Sequence, residues 1–440
     1  MTAQMWLCLA IFLFMIVGYV IGGKFGISNG VIAMATVVLV SWSGLVEVKT
    51  VMANFATKNA LQIIGMFIVA AGFNRTQAVK KMSAMVYKVS GGSFTKVLAG
   101  YVLMGFALTN LGLSPMTAFA IIGPLAASCC ADFGLSPSKI IMPVALTCIG
   151  TCAVLPISNG AVMYATQNGY LESYGYTTYQ MEMLDNFKGR LPIALFIIIY
   201  AIFVMPKFCP AQPSVTPRFD TAEKKAKGAS KEVPPLSPVK EALGYAIFIL
   251  TTVVLILNSK LNIGEAWQIA FTGAALLMMC GILTPKEGIN AIPVRIVLML
   301  AAAQTIGGAM TACGLGDLIG DTLAAALGGT TNGYVIGAAF FVIPFILTQL
   351  MNNSSVGNIF RPILILTCKS LACDPVGPLI LLSAGSLTAF LTPMATGSVP
   401  IAMDLGGYDQ KDLLKMGWLP SLIICVIAVF WVMTVFPAYH

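Results

Sequence analysis

The residues best equipped for chemistry form one cluster, Asn352-Asn353-Ser354-Ser355, inside an uncharged run that extends from Thr322 to Phe360. Four successive side chains that donate and accept hydrogen bonds are costly away from water unless they face a ligand, an ion or solvent. A second polar interruption, Asn110 to Pro115 with Ser114 near its end, lies inside the uncharged run Val97 to Ala131. Two more occupy later apolar runs, Pro156-Ile157-Ser158-Asn159-Gly160 and Pro393-Met394-Ala395-Thr396-Gly397. Amides and hydroxyls of this kind bind ions and small polar solutes. The only histidine is the terminal His440, and neither a zinc-binding spacing nor a nucleophile with a neighbouring base occurs, so an enzyme is disfavoured and no cofactor is expected.

Positioning these residues falls to a largely apolar chain. Of 440 residues, 58% are apolar and 10% charged, and the mean hydropathy of +0.88 excludes an ordinary soluble domain. Uncharged runs alternate with short charged stretches, the pattern of repeated bilayer crossings. First-half spans are expected at Gln4 to Ile21, Ile27 to Val46, Asn59 to Phe73, Lys139 to Tyr164 and Leu191 to Met205. Second-half spans are expected at Ala242 to Leu257, Ala266 to Leu283, Ile296 to Ala312, Pro375 to Met403 and Met416 to Phe436. The run from Met1 to Gly23 has no basic residue ahead of it and leads straight into a second apolar run, so it reads as a retained span. The runs 97–131 and 322–360 are too long for one crossing and polar at mid-length; each is expected to be a re-entrant hairpin whose tip stops partway through the membrane. The fold class is therefore all-α integral membrane, with about ten transmembrane helices plus two re-entrant hairpins. The 11 cysteines fall mostly in apolar runs, as at Cys148, Cys152 and Cys280, and suggest neither a disulfide framework nor a CxxC metal site.

The order of elements repeats. Pro124 pairs with Pro362, Pro137 with Pro375 and Pro156 with Pro393 at almost constant separation. The expected division is a first repeat over 1–206 (three scaffold spans, hairpin, broken helix, closing span), a linker over 207–241 and a second repeat over 242–440. Five crossings per half make the second copy an inverted repeat. The linker, rich in Pro, Lys, Ser and Ala, has no apolar periodicity. Placing it in the cytoplasm puts both termini outside and assigns the larger share of the 25 Lys and Arg to inner segments. The net charge of +8 is then a topology signal for a multi-pass plasma-membrane protein surrounded by lipid, and nucleic acid is not an expected partner.

A broken helix exposes backbone N–H groups where one half begins and carbonyls where the other ends, so it can hold an anion and a cation side by side without a charged side chain. None is expected near the middle of the four interruptions. Arg361, on the returning arm of the second hairpin, is expected to snorkel to the outer surface, and Asp404, at the inner end of the second broken span, to cap at the interface. With no titratable group at mid-depth, sodium coupling or anion exchange is favoured over proton coupling.

At these residues the chain resembles the divalent anion:sodium symporter family of the ion transporter superfamily. Asn352-Asn353-Ser354, followed by Pro362, is similar to that family's Ser-Asn-Thr hairpin signature. Pro393-Met394-Ala395-Thr396-Gly397, then Gly407-Tyr408 and Asp412-Leu413-Leu414-Lys415, is similar to its broken helix and the segment after it, and Pro137-Ser138-Lys139 leading to Pro156 resembles the first-half counterpart. The resemblance implies secondary active transport of a small organic anion, a di- or tricarboxylate, with sodium as the candidate coupling ion. It further implies a homodimer whose hairpins and broken helices slide as a transport domain against the remaining spans. The substrate site is then expected at Asn352, Asn353, Ser354, Ser114, Ser158, Asn159 and Thr396, and sodium at Asn353, Thr348, Thr396, Ser114 and Asn110. Inorganic-anion transport or ion antiport is the alternative within the same superfamily. One departure is plain. Ser114-Pro115-Met116 stands where the family's first hairpin carries Ser-Asn-Thr, lacking both the amide and the final hydroxyl, and this points to fewer sodium ions than the family pattern gives.

Overall fold

The computed structural model describes residues 1–21, 25, 27–176, 178–215, 236–261, 263–326, 332–350, 353–393 and 395–439. Asn352, Met394, His440 and the linker interior around Ala226 fall outside the described residues. Within them the chain is helical, with no strand. The first half comprises α1 (Ala3–Ile21), α2 (Asn29–Ser43), α3 (Val48–Ala53), α4 (Lys58–Asn74), α5 (Ala78–Ser90), α6 (Phe94–Asn110), α7 (Pro115–Asp132), α8 (Ile141–Gly150), α9 (Asn159–Ser173) and α10 (Asp185–Phe203), with a short α11 (Met205–Phe208) after it. The second comprises α12 (Pro238–Leu261), α13 (Ala266–Met279), α14 (Pro285–Ala291), α15 (Val294–Cys313), α16 (Leu315–Ala326), α17 (Gly333–Thr348), α18 (Asn353–Ser370), α19 (Val376–Leu387), α20 (Ser398–Gly406) and α21 (Gln410–Val435).

Six helical stretches among the described residues are long and apolar enough to cross a bilayer, and six further apolar helices are shorter. Large apolar side chains such as Trp42 (83% exposed) and Phe430 (65% exposed) face outward. A lipid-facing wall requires such a surface, and a water-facing one would not tolerate it. The protein is therefore a multi-pass membrane protein.

Helix lengths in α1–α10 and α12–α21 follow one order. Short α3 and α14, of 6 and 7 residues, occupy the same place in each half; paired arms of 17 and 18 residues in α6 and α7 match 16 and 18 in α17 and α18. The packing is crosswise: α4 lies along α13 of the other half, and α15 lies along α2. Small residues permit this closeness. A Cβ at Gly65 of α4 would sit 2.8 Å from the Ala270 backbone of α13.

The apolar run from Thr322 to Phe360 divides differently from the simple hairpin expected. Its first residues finish α16, and only the remainder builds α17 and the start of α18. Helices α5 and α16 join the spans to the hairpins. Charges recur along both, Lys80, Lys81 and Lys88 in one and Asp317 and Asp321 in the other, so hydropathy alone does not mark them as helices.

Candidate functional site

Each hairpin ends its first arm in one four-residue pattern, Leu108-Thr109-Asn110-Leu111 and Leu347-Thr348-Gln349-Leu350. Asn110 is fully buried. Its Nδ2 donates to the Phe106 carbonyl at 2.8 Å and the Thr151 carbonyl at 2.9 Å, while its Oδ1 accepts the Val154 and Leu155 N–H groups at 2.9 and 2.8 Å. Gln349 repeats the arrangement: Nε2 donates to the Phe345 carbonyl at 3.0 Å and the Thr388 carbonyl at 2.7 Å, and Oε1 accepts the Leu391 N–H at 3.0 Å. Thr151 and Thr388 are the residues at which α8 and α19 stop. Each amide thus fastens a hairpin tip to the break in the helix behind it and satisfies backbone groups that the break leaves bare.

Between the tips lies a cavity of about 240 Å³. Three helices begin at it: Ser114 and Pro115 open α7, Asn159 opens α9 and Ser354 stands in the first turn of α18. Helix starts carry partial positive charge and unpaired N–H groups. Cys152 and Ala153, just past the end of α8, line the same space. Backbone strain is concentrated there, with Ala153 at φ 57 and Ser158 at φ 37.

Of the residues expected from sequence, Ser114, Asn159 and Ser354 meet at this cavity. The Ser114 hydroxyl also caps α7, accepting the Thr117 N–H at 3.1 Å, and Asn159 Nδ2 donates to the carbonyls of Thr109 (2.8 Å) and Leu113 (2.9 Å). Asn353 and Thr348 form a neighbouring group, in which the Thr348 hydroxyl lies 3.0 Å from Asn353 Oδ1 and 2.9 Å from the Ser386 carbonyl. Thr396 lies in the break between α19 and α20, where its carbonyl accepts the Val399 N–H at 3.1 Å. Ser158 is buried behind the cavity lining, and the Asn110 amide is fully engaged at the first break. Asn352 is outside the described residues.

Arg361 does not snorkel outward as expected. Its guanidinium lines the cavity, held 3.3 Å from Asn358 Oδ1 and 5.5 Å from the centre of the Tyr170 ring, and its Nε has no hydrogen-bond partner among the described residues. Tyr170 in turn donates to Asn358 Oδ1 at 3.0 Å. Arg295, at the start of α15, adds a second guanidinium, and no carboxylate stands among the described lining residues. Positive helix ends and two arginines, with no acidic residue among the described lining, make a site suited to an anion. Sequence reasoning missed Tyr170, Asn358 and Arg295. The one readable signal was the Asn358-to-Arg361 spacing, which puts both side chains on one face of a helix.

A second charged residue went unnoticed. Arg190 of α10 is 1% exposed and donates to the carbonyls of Gly150 and Ala153, each at 3.3 Å.

Comparison with known proteins agrees with this architecture. The family described as sodium:sulfate symporter transmembrane region matches residues 1–437. An uncharacterized transporter of Synechocystis sp. is 25% identical over 42% of this chain and 29% of its own length; a probable sodium/sulfate cotransporter 3 of Chlamydomonas reinhardtii is 23% identical over 45% and 23%. The matched stretches thus span under a third of these relatives. Among solved structures, the YdaH transporter of Alcanivorax borkumensis superimposes with a TM-score of 0.58 over 89% of each chain at 17% identity, which is a likeness of fold. With nearly its whole length matched, the chain belongs to the family of the sodium:sulfate symporter transmembrane region.

Proposed function

We propose that the protein is a secondary carrier of small organic anions, with di- and tricarboxylates as its substrate class. The observation that carries this reading is the cavity at which three helix starts and two arginines converge without a carboxylate among the described lining residues. Substrate carboxylates would meet Arg361, Ser354, Ser114 and the N–H groups opening α7, α9 and α18. One stretch of the remaining wall is apolar, formed by Val162, Met163, Ile296, Met299 and Leu300. Such a wall favours a hydrocarbon chain between two carboxylates, because an inorganic oxyanion would leave oxygens facing it without hydrogen-bond partners.

Sodium would sit beside the second break, where the Thr348 hydroxyl, Asn353 Oδ1 and the Ser386 carbonyl cluster. In this reading the two halves are inverted copies, and the hairpins with their broken helices move as one unit in each protomer of a homodimer. The family description supports a second reading, with sulfate itself as substrate. Proteoliposomes loaded with purified protein separate the two. Uptake of labelled succinate should be inhibited by other di- and tricarboxylates and little by sulfate or phosphate; uptake of sulfate that carboxylates fail to inhibit would favour the second reading.

A further inference from the structure

We propose that Arg190 is a built-in cation, taking at the end of the first broken helix the kind of carbonyl oxygens that a mobile sodium would take at the end of the second. The proposal deepens the coupling part of the carrier reading and rests on it. Both broken helices end in bare carbonyls, on the same last turn though not on the same residues: with Thr151 set against Thr388, Ser386 falls opposite Ile149, the neighbour of Gly150. At the second break the donors found among the described residues are neutral, the Thr348 hydroxyl on Ser386 and the Gln349 amide on Thr388. At the first, Asn110 takes the Thr151 carbonyl as Gln349 takes that of Thr388, but Gly150 and Ala153 are given over to the Arg190 guanidinium.

The charge is intrinsic to one half. Arg190 sits in Gly189-Arg190-Leu191-Pro192, and the corresponding Gly417-Trp418-Leu419-Pro420 carries a tryptophan whose side chain points out of the protein, 55% exposed. Burying a guanidinium is expensive unless something negative faces it. Among the described residues no carboxylate pairs with Arg190, and its Nε has no acceptor. What faces it is the carbonyl end of α8, the negative pole of a helix. A hard cation seeks the same thing, a group of oxygens at an unwound helix end. The first hairpin matches this assignment. Ser114 opens α7 as a cap and is followed by Pro115 and Met116, whose side chains offer no oxygen ligand, whereas Asn353 keeps an amide oxygen beside the second break. One fixed positive charge would therefore offset substrate charge in every state of the cycle, and the gradient would drive only the cations bound at the second half.

The test is thermal stability of the purified protein in sodium chloride and in choline chloride of equal ionic strength, read without any transport. Arg190→Ala vacates the carbonyls and leaves room for an ion. It should melt well below wild type in choline and recover part of the loss in sodium, with a saturable dependence that wild type lacks at this position. Arg190→Lys, which keeps the charge, should show the wild-type sodium response. Equal melting of Arg190→Ala in both salts, at or below the wild-type temperature, would overturn the proposal, as would failure to fold in either salt. Such a failure would leave the anion-carrier reading standing, because that reading is tested by uptake.

Discussion

Asn110 and Gln349 make matching contacts in the two halves of the chain. Each amide donates to the carbonyl of the threonine that ends a broken helix, Thr151 or Thr388, and accepts the N–H three residues further on, Val154 or Leu391. Hairpin tip and helix break are thus held as one body in both halves.

Removing either amide should loosen that body. Asn110→Ala strands the Thr151 carbonyl and the N–H groups of Val154 and Leu155, whereas Gln349→Ala strands the Thr388 carbonyl and the Leu391 N–H. Each stranded buried group costs about 1 to 3 kcal/mol. Both variants should melt at lower temperature in detergent, Asn110→Ala the more severely. Melting curves that coincide with wild type would show that the amides are incidental.

The Thr348 hydroxyl and Asn353 amide should govern cation dependence before anion affinity, since they gather beside the Ser386 carbonyl and not in the cavity wall. Thr348→Val keeps the shape and deletes the hydroxyl. We expect a raised sodium requirement for succinate uptake, with near-normal uptake at saturating sodium. A pH gradient imposed without sodium or internal anion should drive no flux in wild type or variant. Unaltered sodium dependence in Thr348→Val and Asn353→Ala alike would place the cation elsewhere.

Much of the fold was legible because its logic is local. Hydropathy marked the membrane class, and the prolines paired across the halves marked both broken helices. The Leu-Thr-Asn-Leu and Leu-Thr-Gln-Leu tips and the two Gly-x-Leu-Pro segments were also readable, but their separations differ from that of the proline pairs because the elements between them differ in length, as with α9 of 15 residues and α20 of 9. The role of Arg361 was not readable. A charge two turns into a helix from a hairpin tip has no evident depth until the tip is placed, and what draws Arg361 inward is the Tyr170 face of a helix from the other half. Arg190 was hidden likewise: its partners are carbonyls, which sequence does not reveal.

Orientation can be read by cysteine labelling, in a background where the 11 native cysteines are replaced. Tyr174, though it follows α9 in the expected outer loop, is itself buried, so the exposed Thr178 in the same loop is the better site. An impermeant maleimide applied to intact cells should label Thr178→Cys and spare Ala226→Cys, as a cytoplasmic linker requires. The opposite pattern would invert the topology.

The central claim, that an organic anion binds between the two hairpin tips, is tested most directly by the affinity of purified protein for succinate with and without the Arg361 guanidinium. Asn358 and Tyr170 remain to hold the site, and Arg361→Gln keeps length and polarity while removing the charge. A lost hydrogen bond to a charged group is worth about 1.5 to 3 kcal/mol, so the dissociation constant should rise roughly 10-fold to 150-fold, with the melting temperature in the absence of substrate nearly unchanged. Isothermal titration in sodium chloride gives the number. A folded Arg361→Gln protein that binds succinate as tightly as wild type would contradict the account, because the anion would then sit outside the cavity to which both hairpins and the first broken helix lead.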